Sequence, residues 1–374
     1  KREFDLTVVE RALLEAFLDG QSTQDMAKNR SRSHSTIRTQ FHSLMTKMGV
    51  RTQTELFRNA LSVSQFVDKI EEIAEVLRHP HRKRADNVRP GGRTVEVTMA
   101  GDFTGVPIVL LQNFLTYRFD SANEQILHDS GVCLLSICRP GVGDTDPPAI
   151  GHCPLRTAAE DITTLLDQLG QRKAILLTTS TTSAYMYSLA PFLEHRLSCL
   201  VPCSAFLPFP YLDIEKVVSP WAKGLAYAMN KHPYLADYFV KAGVPAWIKK
   251  GTKMFFTMQF VTDRDLLAQM LQPAFLVEYQ HALEIATKQG TATIAAEIKS
   301  AFTDFSTDVH ATDLPILIVH GTQDQNFPIT GVRKFVEEHS SRVQLLELPN
   351  VGIQAINVHA AEIIYAIKSF MESE

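Results

Sequence analysis

Long apolar runs are missing from this 374-residue chain. None approaches the ~18–20 residues that a membrane-spanning helix needs, so no membrane partner is expected. No signal peptide is visible, although Lys1 in place of methionine suggests a trimmed sequence. Cysteine is sparse: Cys133, Cys138, Cys153, Cys199 and Cys203 are odd in number and lack zinc-ligand spacing. They read as free, mostly buried thiols in a reducing cytoplasm. Phosphate-binding loops are absent too, because the glycine-rich turn Arg139-Pro140-Gly141-Val142-Gly143 has neither a G-K-[ST] ending nor G-x-G-x-x-G spacing. Neither a metal nor a cofactor is therefore expected.

What is present is an ordinary globular composition, 45% hydrophobic and 21% charged, with length enough for two domains. The net charge of -4 hides an asymmetry, since residues 1–62 carry +3 and the remainder -7. Between Lys28 and Arg51 stand six basic residues and no acidic one. A basic block on an acidic protein is an electrostatic footprint of nucleic-acid binding.

Residues 1–62 read as short helices broken at regular intervals. Thr7 and Glu10 form a capping box, each satisfying free amides at the helix start. Leu13, Leu14, Phe17 and Leu18 make an apolar stripe ended by Gly20. Ser22 caps a second helix with Met26 and Ala27 inward. Ser33 or Ser35 caps a third, with Ile37, Phe41, Leu44, Met45 and Met48 buried. Thr52 opens a fourth. This pattern fits either a plain helical bundle or a helix-turn-helix reader.

The run Leu6-Thr7-x-x-Glu10, Gly20-x-Ser22, Met26-Ala27, Ser33-x-x-Thr36-Ile37-Arg38, Leu44 and Lys47-Met48-Gly49-Val50 resembles the LuxR-type DNA-binding domain. The resemblance implies a recognition helix from about Ser35 to Met48. It also implies DNA contacts from Arg32, Ser35, Thr36, Arg38, Thr39, Gln40, His42 and Lys47. Gln40 stands where that family commonly has histidine. After it, Val63, Phe66, Ile70, Ile73 and Leu77 keep a heptad spacing expected of a dimerisation helix. Pro80 to Gly92 reads as a turn-rich linker closing the 63–92 connector.

From residue 93 onward, strand-like runs alternate with helical stretches. The runs are Thr94–Met99, Pro107–Leu111, Val132–Ile137, Ala174–Leu177, Leu197–Val201, Pro315–Val319 and Gln344–Leu348. Alternation of this kind predicts an α/β fold with a mostly parallel sheet, whose functional residues sit at the carboxyl ends of strands. At one such end, Thr178-Thr179-Ser180-Thr181-Thr182-Ser183 has the strand–turn–helix layout of a nucleophile elbow, with threonine at both glycine positions.

In order and layout, residues 95–374 resemble the α/β-hydrolase superfamily. The resemblance places Ser180 at the nucleophile, Asp324 at the acid, and Ile353 where the family has its histidine. Gln112 and Asn113 stand at the start of the oxyanion loop, and residues 206–300 form a helical lid rich in aromatics. A serine hydroxyl is a poor nucleophile without a base, and threonine at 178 and 182 is expected to crowd the turn. His359 would face away from the elbow, and His320 occupies a common structural position.

The resulting expectation is an all-α helix-turn-helix domain followed by an α/β-hydrolase fold with a mostly parallel sheet and helical lid. It is a cytoplasmic homodimeric regulator reading a palindromic double-stranded DNA operator. Its large domain is expected to be catalytically inactive, with no catalytic residue. A mostly apolar small molecule would bind at Ser180, Gln112, Asn113, Phe114, Thr181, Trp221, Trp247 and Asp324. The rival expectation is an active serine esterase or lactonase.

Overall fold

The computed structural model describes residues 6–18, 21–53, 55–56, 82–88, 92–113, 121–217, 220–231, 257, 267–268, 271–353, 356 and 359–373. The chain divides into two compact units, Lys1–Arg78 and His79–Glu374.

In the first unit, α1 (Val8–Leu18), α2 (Thr23–Asn29) and α3 (His34–Lys47) follow the expected breaks. Reciprocal caps start two of them. The Thr7 amide donates to Glu10 Oε2 at 2.8 Å while the Glu10 amide donates to Thr7 Oγ1 at 3.2 Å. Ser22 and Asp25 repeat the device at α2, and Ser33 accepts from the Thr36 amide at α3. Leu13, Met26, Ile37, Phe41 and Leu44 bury their side chains in a shared core, with Phe17 edge-on to Phe41. The carboxylate of Glu10 also ties α1 to α3, accepting from Ser43 Oγ at 2.8 Å and from Lys47 Nζ at 2.9 Å. Thr52 and Glu55 make a further reciprocal pair where a fourth helix was expected. The rest of that helix and the heptad-spaced residues Val63 to Leu77 lie outside the described residues.

The second unit is built on one eight-stranded sheet of order β1-β2-β4-β3-β5-β6-β7-β8. The strands are β1 (Arg82–Val88), β2 (Val95–Gly101), β3 (Val106–Leu111), β4 (Val132–Ile137), β5 (Ala174–Thr179), β6 (Leu197–Cys203), β7 (Ile316–Gly321) and β8 (Val343–Leu348). From β4 to β8 all neighbours are parallel, whereas β1–β2 and β2–β4 are antiparallel. Parallel strands need crossovers, and the crossover helices cover both faces of the sheet. This explains why β4, β5 and β7 are apolar without alternation and buried throughout.

One face packs under α5 (Pro154–Gln168) and α6 (Thr182–Leu193), through Ile162, Leu166, Met186, Tyr187 and Leu189. The other packs Leu127 of α4 (Ser121–Asp129) and Ile363, Ile364, Ile367 and Phe370 of α12 (Ala360–Ser373). Between β6 and β7 lies the expected insert, with helices α7 (Pro220–Lys231), α8 (Pro273–Thr287) and α9 (Ala292–Ala301). A short α10 (Ser306–Val309) follows it, and α11 (Ile329–Glu338) joins β7 to β8.

The segment from Pro80 to Gly92, expected as a linker, contains β1, paired antiparallel with β2. Its composition concealed it. Arg82-Lys83-Arg84-Ala85-Asp86-Asn87 has no apolar face, and a strand at the edge of a sheet does not require one. Among the described residues no helix is long and apolar enough to cross a membrane.

Hydrogen bonds hold the Glu10 carboxyl down to about 2 from its usual 4.5, first through Lys47 and then through the Thr7 amide. A depressed folded-state value contributes stability above the unfolded value and loses it as the carboxylate is protonated. In calorimetry of the full chain, the first unit's midpoint should therefore fall as pH drops from 4.5 towards about 2. E10Q should lose that dependence. Equal acid sensitivity in both proteins would place its origin elsewhere.

Candidate active site

The parallel strands end along one edge, and the register sets which ends are neighbours. Leu110 pairs with Leu177, Thr179 with Cys203, and Cys203 with Val319. The residues just past β3, β5, β6 and β7 are thereby gathered: Gln112 and Asn113, Ser180, Ser204, and Thr322 to Asp324. Asn113 bridges two of these ends directly, its Nδ2 donating to the Thr179 carbonyl at 2.9 Å and to Thr179 Oγ1 at 2.6 Å.

Ser180 occupies the tip of the β5–α6 turn with φ +53°, in the left-handed region. An L-residue pays for that conformation sterically, so it persists only when its surroundings impose it. Here the Ser180 amide donates to the Cys203 carbonyl at 3.0 Å. Its own carbonyl accepts from the Ser183 amide at 3.2 Å and from Ser183 Oγ at 2.8 Å. Both peptide groups of the serine are thus anchored, one to the sheet and one to the helix.

The threonines flanking the elbow are accommodated rather than crowded. Thr178 is buried, its hydroxyl donating to Met186 Sδ at 3.5 Å. Thr181 Oγ1 makes a short hydrogen bond to Glu297 Oε1, and Thr182 Oγ1 donates to the same oxygen at 3.3 Å. Each of the three hydroxyls thus has a buried hydrogen-bond partner.

Asp324 follows β7. Its Oδ1 accepts the Asn326 and Phe327 amides at 2.8 and 3.0 Å, whereas Oδ2 is buried without a hydrogen-bond partner among the described residues. Burial pushes this carboxyl above its ordinary value, outweighing His320 and the two amides, which pull it down. His320 is fully buried, with Nε2 donating to the Phe327 carbonyl at 2.8 Å and 3.8 Å from Asp324 Oδ2. Ile353 is buried, and His359, half-exposed at the start of α12, pairs its Nδ1 with Glu362 at 3.2 Å. Gln112 is also fully buried, with both polar atoms of its amide lacking a partner among the described residues.

Of the residues expected to bind a small molecule, Ser180, Gln112, Asn113, Thr181 and Asp324 lie along this one edge. Phe114 and Trp247 lie outside the described residues, as does the side chain of Trp221, which sits in α7. Three further residues escaped the sequence reading. Ser204 has φ +51° and a buried hydroxyl without a partner among the described residues, and Glu297 and Arg139 form a buried ion pair beside the elbow. For Glu297 a signal was there to be read: it shares the buried face of α9 with Ile294, Ile298 and Ala301. All five cysteines are free, with only Cys153 exposed. Among the described residues no group of three His, Cys, Asp or Glu side chains is placed to hold a metal ion.

A mostly parallel eight-stranded sheet, a serine elbow after β5 and an acid after β7 define the second unit as an α/β-hydrolase fold. Known proteins agree with this. The Synechocystis protein named "Putative non-heme chloroperoxidase" is 24% identical over 291 residues, covering 75% of this chain and 96% of its own. The solved bromoperoxidase of Bacillus anthracis matches with a TM-score of 0.52 at 21% identity, over 78% of this chain and 99% of its own. A mutant of potato epoxide hydrolase matches with a TM-score of 0.56 at 14% identity, over 78% and 100%. No protein-family profile matches the chain.

These comparisons correct two expectations. The reading of a LuxR-type, DNA-binding regulator is overturned, because the relative and the structural neighbours are α/β-hydrolase-fold enzymes. The caps and apolar spacing behind that reading close a small helical unit around its own core. Lys47, expected on DNA, is tied to Glu10. Thr39 Oγ1 bonds the Ser35 carbonyl, and the hydroxyls of Ser35 and Thr36 bond that of Ser33 in the cap of α3. Arg32, Arg38 and His42 are exposed and Gln40 is half-buried. The second correction concerns the catalytically inactive sensor without a catalytic residue. That expectation rested on Ile353 in place of a base together with threonine at both glycine positions of the elbow, and it is overturned because the relative and the structural neighbours are enzymes of this fold.

Gly321 offers a test of how this edge is packed. A Cβ there would lie 2.1 Å from the Val351 carbonyl oxygen and 2.6 Å from its carbon. G321A must displace the backbone leading to Ile353, and overpacking of this kind costs about 1–3 kcal/mol. Chemical denaturation should show a lowered midpoint with an unchanged slope.

Proposed function

We propose that the protein is a serine hydrolase acting on carboxylic esters or lactones, with Ser180 as its nucleophile. The observation that carries this reading is the left-handed backbone of Ser180, anchored through both peptide groups at the strand–helix turn. Strain of about 1–3 kcal/mol concentrates at functional sites. Similarity to enzymes of this fold, among them one described as a putative lipase from Acinetobacter baumannii, supports it. The aromatic content of the insert favours a substrate with an apolar acyl or alkyl portion.

Proton acceptance falls to Asp324. With isoleucine at 353, Asp324 Oδ2 has no hydrogen-bond partner among the described residues, and its raised pKa makes it a stronger base than an ordinary carboxylate. Ser180 Oγ adds to the acyl carbon as its proton passes to Asp324, directly or across one water. The bond to the leaving oxygen breaks, and that oxygen takes the proton. Water then attacks the acyl-serine by the same route, releasing the acid and restoring the serine. The amide of Thr181, the residue after the nucleophile, is the group suited to face the oxyanion.

Turnover of p-nitrophenyl esters and of aliphatic lactones tests this reading. S180A should reduce the rate to background, and D324N should lower kcat by about 10²–10⁴-fold. Undiminished turnover in S180A would sink the assignment. In the wild type the rate should rise with pH through a midpoint above the ~3.9 of an unperturbed aspartate, since only the ionised form accepts a proton. I353H should raise kcat by about 10²-fold and move that midpoint towards the ~6.5 of histidine.

A further inference from the structure

Glu297 is fully buried in the last helix of the insert, and both of its oxygens are engaged. Oε1 accepts the hydroxyls of Thr181 and Thr182, and Oε2 pairs with Arg139. Arg139 is itself buried, with its guanidinium 5.1 Å from the centre of the Tyr185 ring. A carboxylate loses its hydration on burial, and an apolar pair of similar volume usually holds two elements together as well as an ion pair does. The position of this pair is therefore informative. Its acceptor oxygen takes the side chains of the two residues that directly follow Ser180.

We propose that Glu297 is a positioning residue, which fixes the Thr181 peptide and with it the N–H that faces the oxyanion. The inference rests on the reading of Ser180 as nucleophile. It adds that the geometry of the elbow is set from the insert. Glu297 holds Thr181 and Thr182 at the start of α6, while Arg139, just past β4, holds Glu297. An oxyanion donor stabilises charge that develops only in the transition state. Misplacing it should lower kcat and leave KM nearly unchanged.

The test titrates Ser180 with a fluorophosphonate and measures kcat per titrated site in wild type, E297Q, E297D and T181V, using a short-chain p-nitrophenyl ester. E297Q should lower kcat per site by about 10²-fold, as removal of an oxyanion-hole donor does, with KM shifted less than about threefold. T181V, which deletes the hydroxyl and keeps the branch, should reproduce most of that loss, and E297D should recover part of it. Should E297Q fail to fold, T181V carries the same comparison. A merely structural carboxylate would lower the thermal midpoint or the number of titratable sites at constant kcat per site, and that result overturns the proposal. Failure of the fluorophosphonate to label Ser180 in the wild type overturns the serine reading and this inference with it. Normal labelling with unchanged kcat in the variants overturns this inference alone.

Discussion

A serine forced into left-handed backbone at the end of β5 is the constraint on which the site depends. Left to itself, an L-residue would relax out of that conformation. Ser180 stays because its amide is pinned to β6 through Cys203 and its carbonyl to α6 through Ser183. Those anchors exist only because β5 and β6 run parallel and in register, with the helix departing directly from the strand end. The sheet, the crossover helices and the two-sided core serve in this sense to hold one turn.

Around that turn several polar side chains are buried, and partners of some come from distant segments. Glu297 lies more than a hundred residues beyond Thr181 in the chain, yet it accepts that residue's hydroxyl. Asp324 satisfies one oxygen on backbone amides of its own loop and leaves the other without a hydrogen bond among the described residues, 3.8 Å from His320 Nε2. Inside a protein an unpartnered polar atom is costly. Gln112, Ser204 and Asp324 each keep at least one such atom at this edge, consistent with a site built to receive a polar group from outside the chain.

Much of the framework was readable from the sequence. Seven of the eight strands stand where apolar runs predicted them, and β4, β5 and β7 lack alternation because strands covered on both faces must be apolar on both. β1 was not readable, since an edge strand of Arg, Lys, Asp and Asn carries no such obligation. Ser180 and Asp324 were found by their positions after strand-like runs. Arg139 was passed over, because nothing in its neighbours announces that it is buried against Glu297. The N-terminal helices show the opposite failure. The caps at Thr7, Ser22 and Ser33 were read correctly, and the function attached to these helices was not, since short capped helices with a shared core serve many purposes.

Local chemistry marked, without reference to any contact, where the capped N-terminal helices and all the strands but the edge strand β1 lie. Backbone hydrogen-bonding rules and the period of apolar residues act over a few positions, so they are written into the chain itself. The tertiary structure decided what the threonines of the elbow mean. As sequence they are β-branched residues in place of glycine, and they forecast crowding. In the fold their hydroxyls find Met186 and Glu297. Whether a side chain strains a turn or steadies it depends on which distant atom stands opposite, and only the closed sheet brings that atom there.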